Sequence, residues 1–152
     1  AGEINTYMPM HVVNLISSSL NKYEKAINGS HILIIGVAYK NDIDDCRESP
    51  AIDIIDLLNK RGAHVKYHDP YVKDLKNYNL DLESIIKLDK YSIENFDACV
   101  ILANHSNINY KIIAENSNLI IDTRNVFHDI NSDDIIRLGQ GKKWLISVGN
   151  IF

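Results

Sequence analysis

HILIIGVAYKNDIDDCRESPAIDIIDLL (residues 31–58) joins two apolar segments through one long polar loop. The first segment, 31–35, is almost continuously apolar, which is typical of a strand buried on both faces of a parallel sheet. Ser49 and Pro50 are residue types that begin helices, and apolar residues recur after them at helical spacing. The loop at 36–50 therefore follows the carboxyl end of a strand, where open parallel sheets bind ligands.

This loop lacks the glycine pattern of a dinucleotide site but carries two cations. In a G-x-G-x-x-G turn the glycines let the backbone approach a pyrophosphate, whereas here Gly36 stands alone. Lys40 supplies a flexible ammonium group, and Arg47 supplies a planar guanidinium group that suits bidentate phosphate contacts. The acidic residues between and beside them either orient these cations or belong to an ordinary solvated loop.

Length and composition indicate one domain without an overall positive charge. The 152 residues are enough for a single buried core, and 16 Lys and Arg against 20 Asp and Glu give a net charge of −4. We therefore expect no non-specific nucleic-acid binding, and an anionic ligand would need a local group of cations. Cys46 and Cys99 form no C-x-x-C pattern, which predicts free thiols in a reducing cytoplasm and no metal site. No membrane span or signal peptide is expected, because no apolar run is long enough.

The first segment, about 5–28, is predicted to be a helix with two adjacent apolar stripes. The first stripe contains Val13, Ile16, Leu20, Tyr23 and Ile27, and the second contains Met8, Val12 and Leu15. One stripe can cover the sheet. The other either contacts a missing domain or a second subunit, or simply widens the face that points to the core.

The rest of the chain alternates predicted strands with predicted helices. Strands are expected at 64–68, 84–88, 98–102, 119–121 and 144–148, and helices at 92–96, 110–114 and 132–138, with Ser92 and Ser132 as caps. The helix that begins at Pro50 is expected to end near Gly62. This alternation predicts an α/β fold with a doubly wound, mostly parallel, Rossmann-like sheet after a long N-terminal helix.

Polar side chains from three predicted strand ends should meet at one edge of this sheet. Lys40 and Arg47 follow the first strand, His105 follows the strand at 98–102, and Arg124 follows the strand at 119–121. Three permanent cations at one edge of a net acidic protein favour an anionic ligand such as a phosphate or pyrophosphate. His105 by itself is better explained as a hydrogen-bonded loop histidine.

Two further residues have competing interpretations. Asp69 follows the second strand, where a dinucleotide fold binds a ribose, but Asp-Pro is also an ordinary turn. Cys46 lies beside Arg47, which would favour a thiolate, but no base accompanies it, so we expect an unreactive thiol.

The motifs also resemble a known family. The pattern G-x-A-Y-K-x-D-x-x-D-x-R-E-S-P at 36–50, G-A-x-V at 62–65 and Y-x-D-P-Y at 67–71 resemble the C-terminal domain of the UDP-glucose/GDP-mannose dehydrogenase family. The residues at 4–13 are similar to the end of that family's central helix, and D-x-R-N at 122–125 is similar to its late arginine motif. Members of the family oxidise the C6 alcohol of a nucleotide sugar to a carboxylate in two NAD-dependent hydride transfers, through a thiohemiacetal and a thioester on a cysteine.

Carried over residue by residue, the resemblance implies roles for four side chains. Tyr39 and Lys40 would contact the UDP-sugar, Arg124 would pair with its pyrophosphate, and Arg47 would reach an NAD held mainly by an N-terminal domain. The residues implied to support these contacts from behind are Asp45, Asp69 and His105.

The resemblance also implies that the chain is a fragment. Residues 1–28 would be the end of the linking helix of the central dimerisation domain, and 29–152 would be the UDP-sugar-binding domain. Neither a dinucleotide-binding domain nor the family's catalytic cysteine is present, so the chain alone should be inactive. The resemblance further implies that the full-length enzyme is a homodimer. Asn104-His105 and the run at 43–50 favour the branch that oxidises UDP-N-acetylhexosamines over UDP-glucose.

Two alternatives remain open from the residues alone. The chain could be a stand-alone nucleotide-binding module or a receiver-like regulatory domain, because a doubly wound sheet permits both. A receiver needs a phosphate-accepting aspartate at a strand end, for which Asp122 is the candidate. The neighbouring Arg124 and the lack of an acidic cluster after the first strand count against that interpretation.

Overall fold

A computed structural model describes the backbone of residues 2–138 and the side chains of residues 8–138. The strand predicted at 144–148 lies outside the described residues. The helices are α1 (Gly2–Asn21), α2 (Pro50–Lys60), α3 (Lys90–Glu94) and α4 (Tyr110–Asn116), with a 3₁₀ turn at Lys76–Tyr78. The strands are β1 (His31–Ile35), β2 (His64–His68), β3 (Ala98–Ile101), β4 (Ile120–Asp122) and β5 (Ile135–Arg137).

The five strands form one parallel sheet in the order β2-β1-β3-β4-β5. From β1 the chain first adds β2 on one side, and it then returns to the other side of β1 to place β3, β4 and β5. The direction of strand order therefore reverses between β1 and β3, and in open α/β sheets ligands bind at the carboxyl ends of strands at such a point. The predicted parallel, Rossmann-like α/β fold is confirmed.

The sheet is covered on both faces, because alternate residues of each buried strand point to opposite sides. Ile32 and Ile34 of β1 pack with apolar residues of α1 and α2, whereas Leu33 and Ile35 pack with residues of α3 and α4. All four side chains are fully buried. The helix-start prediction is confirmed in detail, since the Ser49 hydroxyl accepts a hydrogen bond from the first turn of α2.

Helix α1 ends at Asn21, seven residues before the predicted end. Glu24 adopts a left-handed conformation with φ of 60°, and the Lys25 N–H donates to the carbonyl oxygen of Leu20, which closes the helix. The second apolar stripe is not left open, because Met8 and Val12 are buried. The wider core-facing surface, one of the two expected explanations, therefore accounts for it in this chain.

Three local predictions were wrong. Asp89, and not Ser92, caps α3, while Ser92 sits three residues into the helix and completes a reciprocal capping box with Asp89. The segment at 84–88 forms only a single parallel bridge, between Ser84 and Tyr67, and then leaves the edge of β2.

The helix predicted at 132–138 is instead a turn followed by β5. Ser132 accepts a hydrogen bond from the Asp134 N–H, and Ile135 and Ile136 pair with β4. These β-branched residues fit an outer strand of the described sheet, which the local spacing of so short a segment could not indicate.

Candidate functional site

The site is built around a close approach of β1 to β3 at Gly36. This residue has φ of +83°, and a Cβ atom there would lie 2.6 Å from Cβ and 2.9 Å from the backbone nitrogen of Ala103. Its N–H donates to the carbonyl oxygen of His68 at 2.9 Å. A glycine is required here because both the backbone conformation and the contact exclude a side chain. Gly36 therefore joins the carboxyl ends of three strands and does not form a pyrophosphate-binding turn.

The loop after β1 is attached to the loop after β3 by two side chains. The Asn41 Oδ1 atom accepts from the Asn104 N–H at 2.9 Å. The Asp42 Oδ1 atom accepts from the Ser106 N–H at 2.7 Å and from the Ser106 hydroxyl at 3.0 Å. These bonds, first the one from the Ser106 N–H, lower the pKa of the Asp42 carboxyl below its ordinary value. Asp42 itself has φ of 61°, a conformation that Asp and Asn tolerate better than most residues.

His105 is completely buried and links two other loops. Its Nδ1 atom accepts from the Asp42 N–H at 2.7 Å, and its Nε2 atom lies 2.9 Å from Asp69 Oδ2. An accepting Nδ1 assigns the ring proton to Nε2, which donates to the carboxylate. The Tyr71 ring packs against it in an edge-to-face arrangement with centroids 4.8 Å apart. His105 is therefore a hydrogen-bonded loop histidine whose ring does not face solvent.

Asp69 is equally enclosed. Its Oδ2 atom also accepts from the N–H groups of Val37 and Ala38, and its Oδ1 atom accepts from the Tyr71 N–H, as in an Asp-Pro turn. Burial alone would raise the pKa of this carboxyl, but the hydrogen bonds from His105, Val37 and Tyr71 bring it below its ordinary value. With its side chain fully buried and its oxygens engaged, Asp69 has no free face for a ribose hydroxyl.

Two cations lie at this edge without an acidic partner among the described residues. The Arg124 Nη1 atom donates to the carbonyl oxygen of Leu102 at 3.2 Å, and the side chain is half-buried. Burial lowers the pKa of the Arg124 guanidinium, which still remains protonated at neutral pH. The Lys40 Nζ atom is exposed and lies 5.9 Å from the centroid of the Tyr39 ring. Asn41, next to Lys40, contacts Asn104, and Arg124 contacts Leu102, so the two cations are carried by loops that both touch the chain just after β3.

Arg47 differs from both, because it is already paired. Its Nε and Nη2 atoms each lie 3.1 Å from an oxygen of Asp45, and its backbone N–H donates to the same carboxylate. The arrangement lies just before α2 at the same edge, and the Arg47 side chain is 80% exposed. Asp45 thus orients Arg47 toward solvent. This agrees with one of the two interpretations of the acidic loop residues, that they orient the neighbouring cations.

Asp122 organises the loop that carries Arg124. Its carboxylate is buried and accepts from the backbone N–H groups of Arg124, Val126 and Phe127 at 3.1, 3.2 and 2.9 Å. Such a carboxylate is not available to accept a phosphoryl group, which removes the receiver-like interpretation. The sequence signal for this role was weak, since an aspartate after a strand is common in turns.

The two cysteines offer no nucleophile. Burial and the nearby carboxylates, Asp69 first among them, raise the pKa of Cys46 to about 12, and burial raises that of Cys99 to about 11. Both thiols are free. In the described part of the chain there is also no group of three or more His, Cys, Asp or Glu side chains arranged to hold a metal ion. None of the helices that the structure describes has the length and apolar character needed to cross a membrane.

Comparison with protein families and curated proteins gives consistent matches. Residues 33–129 match the UDP binding domain of the UDP-glucose/GDP-mannose dehydrogenase family. The UDP-N-acetyl-D-mannosamine dehydrogenase of Methanococcus aeolicus is 32% identical over 96% of this chain and 34% of its own length. UDP-glucose 6-dehydrogenase TuaD of Bacillus subtilis is 30% identical over 82% of this chain and 28% of its own length. The chain therefore spans about a third of the length of the curated relatives it matches.

Solved structures give the same result. The crystal structure of NDP-N-acetyl-D-galactosaminuronic acid dehydrogenase from Methanosarcina mazei is similar with a TM-score of 0.67 and 33% identity, over 86% of this chain and 28% of that one. UDP-D-ManNAc dehydrogenase from Pyrococcus horikoshii is similar with a TM-score of 0.73 and 26% identity, over 90% of this chain and 32% of that one. In both comparisons the similarity covers most of this chain.

Proposed function

Because this chain belongs to the UDP-glucose/GDP-mannose dehydrogenase family, we propose that it is the UDP-sugar-binding part of an NAD-dependent nucleotide sugar 6-dehydrogenase. In that role it holds the nucleotide while the parent enzyme oxidises the C6 hydroxyl of the sugar to a carboxylate. The chain by itself does not turn over substrate, because neither of its buried thiols can act as the nucleophile.

The observation that carries the proposal is that Lys40 and Arg124 have no acidic partner among the residues that the structure describes. A half-buried guanidinium without a counter-ion is costly, and an anion that binds beside it recovers that free energy. Arg124 can donate two parallel hydrogen bonds to a phosphate, and Lys40 adds a flexible positive charge from the loop after β1, which contacts the loop after β3. Two cations on loops that both touch the end of β3 suit a diphosphate better than a single phosphate.

Tyr39 and Arg47 have separate roles in this proposal. The Tyr39 ring is 43% exposed beside Lys40, so it can contact the nucleotide sugar. Arg47 points to solvent with Asp45 behind it, and it reaches an NAD bound by the preceding domain. Asp69 and His105 support the loops from within the fold.

The residues of this chain are not suited to form the main binding site for NAD. The β1–α2 loop has no second or third glycine to bring the backbone to a pyrophosphate, and Gly36 is occupied by its contact with Ala103. We assign the main NAD site to an N-terminal domain of the same polypeptide, with residues 1–28, which include α1 and the turn after it, as the segment that leads from the central, dimerising domain. Two free cysteines are the state expected of a cytoplasmic protein.

Isothermal titration calorimetry of the chain with UDP, GDP and NAD tests the proposal. We expect binding of UDP, weaker binding of GDP and no detectable binding of NAD. Lys40→Ala and Arg124→Ala should each lower the UDP affinity by about tenfold or more, because each removes a charge-assisted contact. Arg47→Ala is the matched control: it removes a cation from the same edge, but one that is already paired, and it should leave UDP affinity unchanged.

Failure to bind any of the three nucleotides would overturn the proposal, and so would equal losses from all three substitutions. For the sugar, we propose a UDP-N-acetylhexosamine, in agreement with the UDP-N-acetyl-D-mannosamine dehydrogenases among the relatives. Turnover by the full-length enzyme of UDP-glucose in preference to UDP-N-acetylhexosamines would contradict this choice.

A further inference from the structure

The Tyr39–Lys40 segment lies in a long connection between β1 and α2 that contains no helix or strand. Its position therefore depends on individual contacts. One comes from the segment itself, where the Tyr39 N–H donates to the Asp45 carbonyl oxygen at 2.6 Å. The others are made by Asn41 and by Asp42, the next residues along the chain.

Asp42, two residues after Lys40, contacts two neighbouring loops, whereas Asn41 contacts one. Its carboxylate accepts two bonds from Ser106 after β3 and a longer one, at 3.4 Å, from the Tyr71 hydroxyl after β2. Its N–H donates to the buried ring of His105. Asp42 thus connects the loop that carries Lys40 to the loops that follow both neighbouring strands.

We propose that Asp42 is a positioning residue that, through Ser106 and His105, holds the Tyr39–Lys40 segment where Lys40 can meet a diphosphate. This inference rests on the proposed UDP site. It assigns a function to an acidic side chain in a place where a diphosphate is expected to bind, and charge alone would make such a side chain unfavourable.

The direction in which UDP affinity changes when Asp42 is replaced therefore distinguishes a positioning role from a purely electrostatic one. A carboxylate near the site repels a diphosphate, so if Asp42 acted only through its charge, its removal would tighten UDP binding. If it acts by holding the segment in place, its removal forces UDP to order a mobile loop, and binding weakens.

Two substitutions separate these effects. Asp42→Gly removes the carboxylate and tolerates the positive φ at this position without strain. Asp42→Asn removes the charge but retains a side-chain oxygen that can accept from Ser106, and Asn also tolerates this conformation. We expect Asp42→Gly to weaken UDP binding by about tenfold and Asp42→Asn to bind as tightly as the wild type or more tightly. Asp81→Gly is the matched control: Asp81 is exposed and makes no hydrogen bond or ion pair with the described residues, so its replacement should leave UDP affinity unchanged.

A double-mutant cycle with Lys40→Ala tests whether Asp42 acts through Lys40. In the Lys40→Ala background, Asp42→Gly should cause little further loss of UDP affinity, because there is no ammonium group left to position. A full additional tenfold loss, or tighter UDP binding by Asp42→Gly in the wild-type background, would overturn the inference.

Amide hydrogen exchange keeps this test independent of the proposed function. In the ligand-free protein, Asp42→Gly should speed exchange at residues 39–42 and at Ser106, whereas Asp42→Asn should not. If the wild-type chain fails to bind UDP, the proposed function fails, but the exchange measurement still decides whether Asp42 orders the segment. Unchanged exchange in Asp42→Gly would overturn the role of Asp42 even if UDP binds.

Discussion

His105 donates a hydrogen bond from Nε2 to the Asp69 carboxylate at 2.9 Å, and both side chains are completely buried. The pair joins the ends of β2 and β3, and through the Val37 and Ala38 N–H groups it also joins the end of β1. The loops after three neighbouring strands, including the one that carries Lys40, therefore share one internal carboxylate.

The first prediction concerns acid stability. The folded-state pKa of Asp69 is lowered relative to its ordinary value of about 3.9, so its carboxylate contributes stability that is present above this value and is lost as the pH falls below it. We expect the free energy of unfolding of the wild type to fall more steeply between pH 5 and pH 3 than that of Asp69→Asn. Urea titrations across this range measure the difference.

The comparison isolates Asp69 because other carboxyls with lowered pKa, such as those of Asp42 and Asp45, are present in both proteins. Asp81→Asn, which changes an exposed aspartate, should follow the wild-type curve. Parallel curves for the wild type and Asp69→Asn would show that the buried carboxylate titrates as it does in the unfolded chain.

The second prediction compares two glycines with similar backbone conformations. Gly36 and Gly29 have φ of +83° and +86°, but a Cβ atom at Gly36 would overlap Ala103, whereas nothing lies within 4 Å of a Cβ atom at Gly29. Gly29→Ala should therefore cost only the conformational strain, about 1 kcal/mol, while Gly36→Ala should cost about 2 to 4 kcal/mol. Chemical denaturation of both variants measures the difference, and equal losses would mean that the two strand ends can separate without cost.

The elements with clear local signals were predicted from the sequence. β1 and β2 have the predicted bounds, and α2 begins at Pro50 after its Ser49 cap, as predicted. In these segments apolar periodicity, a capping residue and a following glycine agree with one another. β5 was missed because three residues are too few for a period, and their conformation depends on pairing with β4.

The site was predictable to the level of the sheet edge, but its internal contacts were not. Parallel strands bring their carboxyl ends together, so Lys40 and Arg124 could be placed at one edge from the order of strands and loops alone. The bonds between Asp42 and Ser106 join residues 64 positions apart and depend on the exact course of two loops. No local pattern distinguishes such an aspartate from one in a solvated loop.

The third prediction concerns the cysteines. With a pKa of about 12, Cys46 would hold only about one thiolate in 10,000 at pH 8, and both thiols are buried. The folded chain should therefore resist alkylation by iodoacetamide, and both cysteines should react when urea unfolds it. Mass spectrometry of intact protein counts the modified residues. Rapid labelling of Cys46 in the folded chain would contradict its assignment as an unreactive thiol.

The fourth prediction links the Asp122 carboxylate to the Arg124 side chain. Asp122 accepts bonds from three backbone N–H groups, those of Arg124, Val126 and Phe127. Asp122→Ala leaves these donors without a partner in a partly buried loop, so we expect it to lower the free energy of unfolding by about 2 to 4 kcal/mol. Thermal or urea denaturation measures this loss. Asp129→Ala, at an exposed aspartate on the same loop, should cost less than about 0.5 kcal/mol.

The same substitution should also weaken UDP binding, because the loop that Asp122 organises presents Arg124 at the end of β3. Calorimetry at a temperature where Asp122→Ala remains folded should show a loss of UDP affinity that approaches that of Arg124→Ala, and the two substitutions together should cost little more than either alone. Additive losses would mean that Asp122 stabilises the fold without positioning the guanidinium. Unchanged UDP affinity in Asp122→Ala would separate the loop from the binding site altogether, because the Leu102 carbonyl oxygen would then be sufficient to hold Arg124 in place.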